Sequence, residues 1–319
     1  MWQGYVLADY AWIPGYHQLQ TKIGIDYFTS HENFGSDGVK SDLTSSGQLT
    51  TFKEYKFWAE AEYGFVKDWS ALLKIPITSG LVDTESETLF SGSGLSDVDL
   101  GLKWNLLSRK AVITFELTSK IPLYSTNNPQ FGELVIGDGS FDLGTQFHVG
   151  YRFNRNFVVG FSPGLVLRSS GYESAFKATV FGGASWSPVY IRLGMDSYFS
   201  LSKPTTATLI DSNSTAGSGG SFARLSKSQD CIAMGTRLGV FINNQNRIEA
   251  SAMGSIMGNY APAYFKVGLN WVADFDLYKP EEPKIKVKEI PFETEQQPLD
   301  RSKDSEFGSP TKNSQEILN

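Results

Sequence analysis

Glu54, Glu60 and Glu62 place three carboxylates within nine residues, and His17, His31 and His148 are the only histidines of the chain. Neighbouring carboxylates could give and take a proton, and a histidine beside a serine could activate it as a nucleophile. The spacing argues against both. Lys53 and Lys56 sit among the glutamates, so ion pairing is the simpler account. No histidine has a serine two residues on: Gln18 and Leu19 follow His17, Glu32 and Asn33 follow His31, Val149 and Gly150 follow His148. No G-x-S-x-G, H-E-x-x-H or P-loop string occurs. GSGLSDVD at 92–99 lacks the twelve-residue ligand pattern of a calcium loop. Cys231 is the single cysteine, which excludes an internal disulfide and a multi-cysteine metal site. No catalytic residue, metal or cofactor is expected, and the chain is not expected to be an enzyme.

What remains is to ask which elements carry these charges. The chain has 319 residues, a formal net charge of −6, 19% charged and 13% aromatic residues. No apolar run reaches about 18 residues, so no membrane-crossing helix is expected. The negative balance argues against nucleic-acid binding. MWQGYVLADY at the start shows no basic segment followed by an apolar core, so no signal peptide is expected: either the chain stays in the cytoplasm or this is a mature or engineered form, and the strand pattern favours the second.

Period-two alternation runs through nearly the whole chain. In 52–65 one face reads Tyr55, Phe57, Ala59, Ala61, Tyr63 and Phe65, and the other carries Glu54, Lys56, Glu60 and Glu62. Many such segments exceed ten residues, against about five or six for a soluble strand and about 9–11 for a strand crossing a bilayer. Twelve strands are predicted: 16–30, 49–65, 69–82, 96–107, 111–124, 141–154, 157–169, 174–187, 189–203, 228–243, 246–258 and 263–277. Short turns at 66–68, 108–110, 155–156, 187–188 and 244–245 alternate with long polar connections at 31–48, 83–95, 125–140 and 204–227, while the connections near 170–173 and 259–262 are short exceptions. Aromatics flank the short turns: Phe65, Trp69, Trp104, Phe153, Phe157, Trp186, Phe241 and Trp271. This is the layout of an all-β, transmembrane, antiparallel up-and-down barrel of about twelve strands with an aromatic girdle.

Lipid on one face then sends the charges inward. The predicted lumen-facing residues are Lys22, Asp26, Glu54, Lys56, Glu60, Glu62, Lys74, Asp97, Asp99, Lys103, Glu116, Lys120, Arg152, Arg192, Asp196 and Arg237. The inward aromatics Phe52, Trp58, Phe181 and Tyr190 are candidate contacts for a small hydrophobic ligand. Pro76 and Pro122, inside predicted strands, imply a bulge or local kink.

The strings AWIPGYHQLQTKIGIDYFTS at 11–30, FKEYKFWAEAEYGFVKDWSALLKIPI at 52–77, GLSDVDLGLKWNLL at 94–107 and GDGSFDLGTQFHVGYRFN at 137–154 resemble the outer-membrane barrel family named for the meta-cleavage pathway of phenol degradation. The resemblance implies transport of hydrophobic and aromatic compounds. Lys266, Gly268 and Trp271 are similar to the assembly signal in the last strand of outer-membrane proteins, which implies the barrel-assembly machinery as a partner.

Three segments are expected: 1–15 as an amino-terminal periplasmic arm or plug, 16–278 as the barrel, and 279–319 as a disordered periplasmic tail rich in proline and charge. The Phe131, Leu134, Val135 and Ile136 string in a long connection either folds inward or caps an entry. The expected setting is the outer membrane of a Gram-negative bacterium, with its lipid as partner. Passive uptake of small hydrophobic or aromatic molecules is the expected function. The alternative is a structural or surface-interaction protein with a plugged lumen, tethered by the tail to a periplasmic or cell-wall partner.

Overall fold

Alternating apolar and polar side chains demand a sheet whose two faces meet different surroundings. The chain meets this demand by closing a sheet on itself. The computed structural model describes residues 11–45, 48–124, 133–137, 139–202 and 228–277. The barrel strands are β1 Gln18–Phe34, β2 Thr51–Val66, β3 Trp69–Asp83, β4 in two segments, Thr88–Leu95 and Asp97–Ser108, β5 Ala111–Pro122 and β6 Asp142–Arg152. They continue as β7 Phe157–Arg168, β8 Ala175–Trp186, β9 Val189–Ser200, β10 Asp230–Phe241, β11 Asn246–Asn259 and β12 Ala261–Asp276. Each pairs antiparallel with the next, and β12 closes on β1 from Gln18↔Asp276 to Phe34↔Ala261. Closure gives each of the twelve barrel strands a neighbour on both sides, as a membrane-spanning sheet requires.

The residues 279–319, the loop 204–227 and most of the arm 1–15 lie outside the described residues. The predicted polar connection 83–95 is shorter than expected. Thr88–Leu95 extends β4 and pairs with β3, because its side chains, though mostly small and polar, alternate in register with Ile77–Asp83. The expected kink lies beside Pro76. The β3–β4 ladder runs Ile77↔Leu95 above and Lys74↔Asp99 below, a shift of one residue. Ser96 is the hinge between the two segments, its amide donating to the Pro76 carbonyl at 3.1 Å. Pro122 ends β5 and interrupts nothing. Sequence reading passed over Pro163, which sits where the β6–β7 ladder is broken between Gln146↔Gly164 and Val149↔Phe161.

The outer face is apolar and exposed: Ile23, Ile25, Phe57, Leu73, Ile75, Leu100, Leu102, Leu193 and Leu269 all present their side chains to the surroundings. At the short-turn end Phe65, Trp104, Phe153, Phe157, Trp186 and Trp271 are exposed on this face. Trp69 and Trp104 stack with centroids 5.3 Å apart and an interplanar angle of 7°. One aromatic departs from the expected girdle. Phe241 turns inward and packs on Tyr190, because β10 places it on the same face as Arg237 and Gly239.

The face assignment has a direct consequence. Leu100→Arg, at mid-strand on the outer face, is expected to destabilise the folded barrel by about 2–4 kcal/mol, the cost of a midplane cation facing lipid. The urea midpoint of the barrel folded in lipid vesicles measures it. A loss below about 0.5 kcal/mol is the size expected of an ordinary water-facing position instead.

Candidate functional site

The inner face is built by the alternate residues, and its charges pair with one another within and across strands, since a charge taken from water needs a partner. Lys22 meets Glu60 at 3.1 Å, Lys56 meets Glu54 at 3.4 Å, and Lys103 meets Glu62 at 2.9 Å. Glu62 also accepts the Ser70 hydroxyl at 2.6 Å. Asp26 takes Lys266 at 3.0 Å and the Trp58 indole N–H at 3.2 Å. Lys74 stands 4.5 Å over the Trp58 ring and lies opposite Asp99 in register. Nearer the long connections, Asp142 gathers Lys120 at 2.9 Å and Arg168 at 3.3 Å, while Lys120 also reaches Asp97 at 3.7 Å. Glu116 pairs with His148 at 2.5 Å. Arg192 stacks on Phe181 at 4.0 Å, and Arg152 lies over Trp12 at 5.5 Å. Asp196 accepts the Thr179 hydroxyl at 2.7 Å, and Arg237 meets Glu249 at 3.4 Å. All sixteen charged positions singled out from the sequence thus stand on one face of the sheet.

Two groupings went unread in the sequence. His148 donates to or accepts from Ser162 at 3.0 Å through Nδ1 while its Nε2 meets Glu116. Ser162 and His148 sit in the gap that Pro163 leaves in the β6–β7 ladder, so the side chains bridge where the backbone does not. The constellation has the residue types of a nucleophilic triad, yet His148 is 1% and Ser162 2% exposed, so a substrate has no access to the hydroxyl. The second grouping is Arg247 and Glu249, joined at 2.8 Å and capped by the Tyr190 hydroxyl. Only a fold that brings β9 and β11 near one another across β10 could reveal it.

The four candidate aromatics are not brought together. Phe52 lies toward the long connections in a cluster with Leu43, Val82 and Leu134, with Phe28 and Phe90 against it. Trp58 lies midway, flat on Gly24, where a Cβ would fall 2.6 Å from its ring. Phe181 and Tyr190 lie toward the short turns in a cluster with Val158, against which Trp12 and Phe241 pack. Both end clusters receive a residue from outside the barrel wall. Leu134 enters from the connection between β5 and β6, its amide bonded to the Ser91 carbonyl at 2.9 Å. Gly80 and Gly92 make room for it: a Cβ at Gly92 would lie 2.0 Å from the Leu134 carbonyl oxygen. Of the two readings of that apolar string, Leu134 follows the inward one.

Trp12 enters at the other end. The segment from Ala11 to Gly15 runs along the inner face from Thr114, whose hydroxyl donates to the Ala11 carbonyl, to Gly64, whose absent Cβ leaves room for the Gly15 carbonyl. Gly150 admits the Trp12 ring, 2.6 Å from where a Cβ would stand. A cavity of about 900 Å³ remains beside this segment at the short-turn end, bordered by Trp12, Gln20, Asn105, Phe241, Arg247 and Asp274.

A closed twelve-strand sheet with lipid-suited outer and charged inner faces is the arrangement found in outer-membrane channels. A channel from Pseudomonas putida F1 superposes with a TM-score of 0.64 at 12% identity, covering 84% of this chain and 98% of that one. This chain has the fold of an outer-membrane β-barrel channel. Weaker likenesses are the CymD monoaromatic hydrocarbon channel, with a TM-score of 0.46 at 9% identity over 86% of this chain and 93% of that one, and the toluene transporter TodX of Pseudomonas putida, with 0.42 at 8% identity over 85% and 92%. No family model matches the chain, and no curated protein does.

Proposed function

We propose that the chain is a passive outer-membrane channel for small hydrophobic or aromatic molecules, akin to the barrels named for phenol meta-cleavage that its sequence resembles. The observation that supports this most is the closed barrel whose inner face combines charged walls with the aromatic side chains Phe52, Trp58, Phe181 and Tyr190. Outer-membrane lipid surrounds it and the barrel-assembly machinery inserts it, on this reading, in a Gram-negative cell. On this reading Leu134 and Trp12, each packed in an end cluster, narrow the passage, which suits slow, selective entry rather than bulk flow.

The same two insertions favour a second reading, a structural barrel with a plugged lumen that acts through its carboxy-terminal tail. Uptake decides between them. The full chain, folded into lipid vesicles and verified by heat-modifiable migration, is expected to speed entry of a water-soluble aromatic fluorophore severalfold over empty vesicles. Entry at the rate of empty vesicles would favour the plugged barrel.

A further inference from the structure

We propose that the outer wall of the barrel holds one phospholipid with an anionic headgroup, its acyl chain in a groove along β8 and its phosphate at Arg155. This rests on the membrane-spanning barrel and not on what crosses the lumen.

Toward the short turns, the outer positions of β8 are small where those of both neighbouring strands are large. Gly182 stands between Val159 of β7 and Leu193 of β9, and Ala184 stands between Phe157 and Ile191. The four larger residues form two ridges, and β8 is the floor between them. Phe157, Val159 and Leu193 are exposed, and a Cβ on Gly182 would meet no atom within 4 Å. The hollow has a volume of about 550 Å³ and reaches Phe153 and Asn154 beside the turn between β6 and β7.

The width of the groove selects its occupant. β7 and β9 are two strand spacings apart, roughly 9–10 Å, and their side chains take up part of that distance. An α-helix is about 10–12 Å across and would ride on the ridges. A single hydrocarbon chain is thin enough to lie on the floor, and the groove faces the side on which the bilayer supplies such chains.

Charge selects the headgroup. Trp186, the next outer position of β8, leans on Phe157 with ring centroids 5.9 Å apart, and such rings mark the membrane–water interface. At that level the turn after β6 carries Arg155, which is exposed and forms no ion pair among the described residues. The neighbouring turn after β4, tied to this one by the Arg152 amide donating to the Lys110 carbonyl at 3.0 Å, adds the exposed Arg109 and Lys110. Neither turn, 108–110 or 153–156, holds an acidic residue. An isologous contact with a second copy would bring these cations face to face, whereas a lipid phosphate meets them with charge-assisted hydrogen bonds.

Native mass spectrometry tests this on the full chain, folded in vesicles of equal phosphatidylglycerol and phosphatidylcholine and then extracted in detergent. One phosphatidylglycerol per barrel is expected to be retained, well above phosphatidylcholine. Arg155→Gln, in an exposed turn, is expected to lower phosphatidylglycerol retention about fivefold, the worth of one basic side chain at a lipid surface. Gly182→Leu places its Cβ in open space, fills the groove from the floor and is expected to abolish retention of both lipids. Equal retention of the two lipids, a parent barrel stripped of all lipid, or retention that either substitution leaves unchanged would overturn the proposal. So would a dimer that Gly182→Leu dissociates, which would assign the groove to a second copy of the chain. Heat-modifiable migration verifies that each variant is folded. Failure here leaves the uptake reading standing, because fluorophore entry tests that reading separately.

Discussion

Glu249→Leu is expected to cost the folded barrel about 3–5 kcal/mol, the penalty for removing one partner of a buried ion pair. Glu249 is 1% exposed and Arg247 2%. The carboxylate holds Arg247 at 2.8 Å, Arg237 at 3.4 Å, the Asn270 amide at 2.9 Å and the Tyr190 hydroxyl. Leucine fills similar space but leaves the Arg247 guanidinium with Asp274, at 3.2 Å, as its remaining named carboxylate. It also removes the carboxylate that accepts the buried Tyr190 hydroxyl. Glu249→Gln keeps an acceptor for Tyr190 and Asn270, so its loss should be smaller. Urea midpoints of parent and variants, folded in the same vesicles, measure the difference. A loss below about 1 kcal/mol for the leucine variant is the size seen for exposed pairs, and would show that water reaches the cluster.

Trp12→Ala is expected to open the short-turn end. Trp12 contributes its ring to the Val158, Phe181 and Tyr190 cluster and lies beneath Arg152. Burying a large aromatic ring contributes about 3–5 kcal/mol when it is fully enclosed. Trp12 is half-buried, so about 2 kcal/mol is expected here, and it acts on the seating of residues 11–15 rather than on the strand ladder. Fluorophore entry should therefore rise severalfold while the urea midpoint moves little. Gly150→Leu reaches the same state from the wall, since its side chain would occupy the space the indole fills. Unchanged entry in both variants would show that the narrowing lies elsewhere, with Leu134 at the opposite end the first place to look.

These variants act on different physical terms. The Glu249 cluster ties β9, β10, β11 and β12 together through Tyr190, Arg237, Arg247 and Asn270. Its energy comes from satisfying buried charge. Trp12 and Leu134 occupy hollows made by glycines at 150, 80 and 92, and their energy comes from apolar area and close packing. Neither inserted residue belongs to a barrel strand.

Period-two alternation over 11–17 residues, together with the alternating connection lengths, was enough to point to an antiparallel barrel of about twelve strands. Side-chain direction in a strand is set by parity alone, and lipid on one side makes a slip of one residue prohibitively costly. Phe241 shows the limit of that reading. Its place beside a short turn suggested the girdle, but its parity with Arg237 and Gly239 turned it inward. The partners were decided by tertiary structure alone. Which carboxylate meets Lys120, that Tyr190 reaches Glu249 across an intervening strand, and that Arg192 faces Arg237 all depend on register and on the stagger of a closed sheet. Those quantities are set by the whole circuit of twelve strands and are written in no single one of them. The same holds for Gly80, Gly92 and Gly150, which in the sequence are only breaks in a hydrophobic pattern. In the folded barrel they are the hollows into which a segment distant in sequence is received.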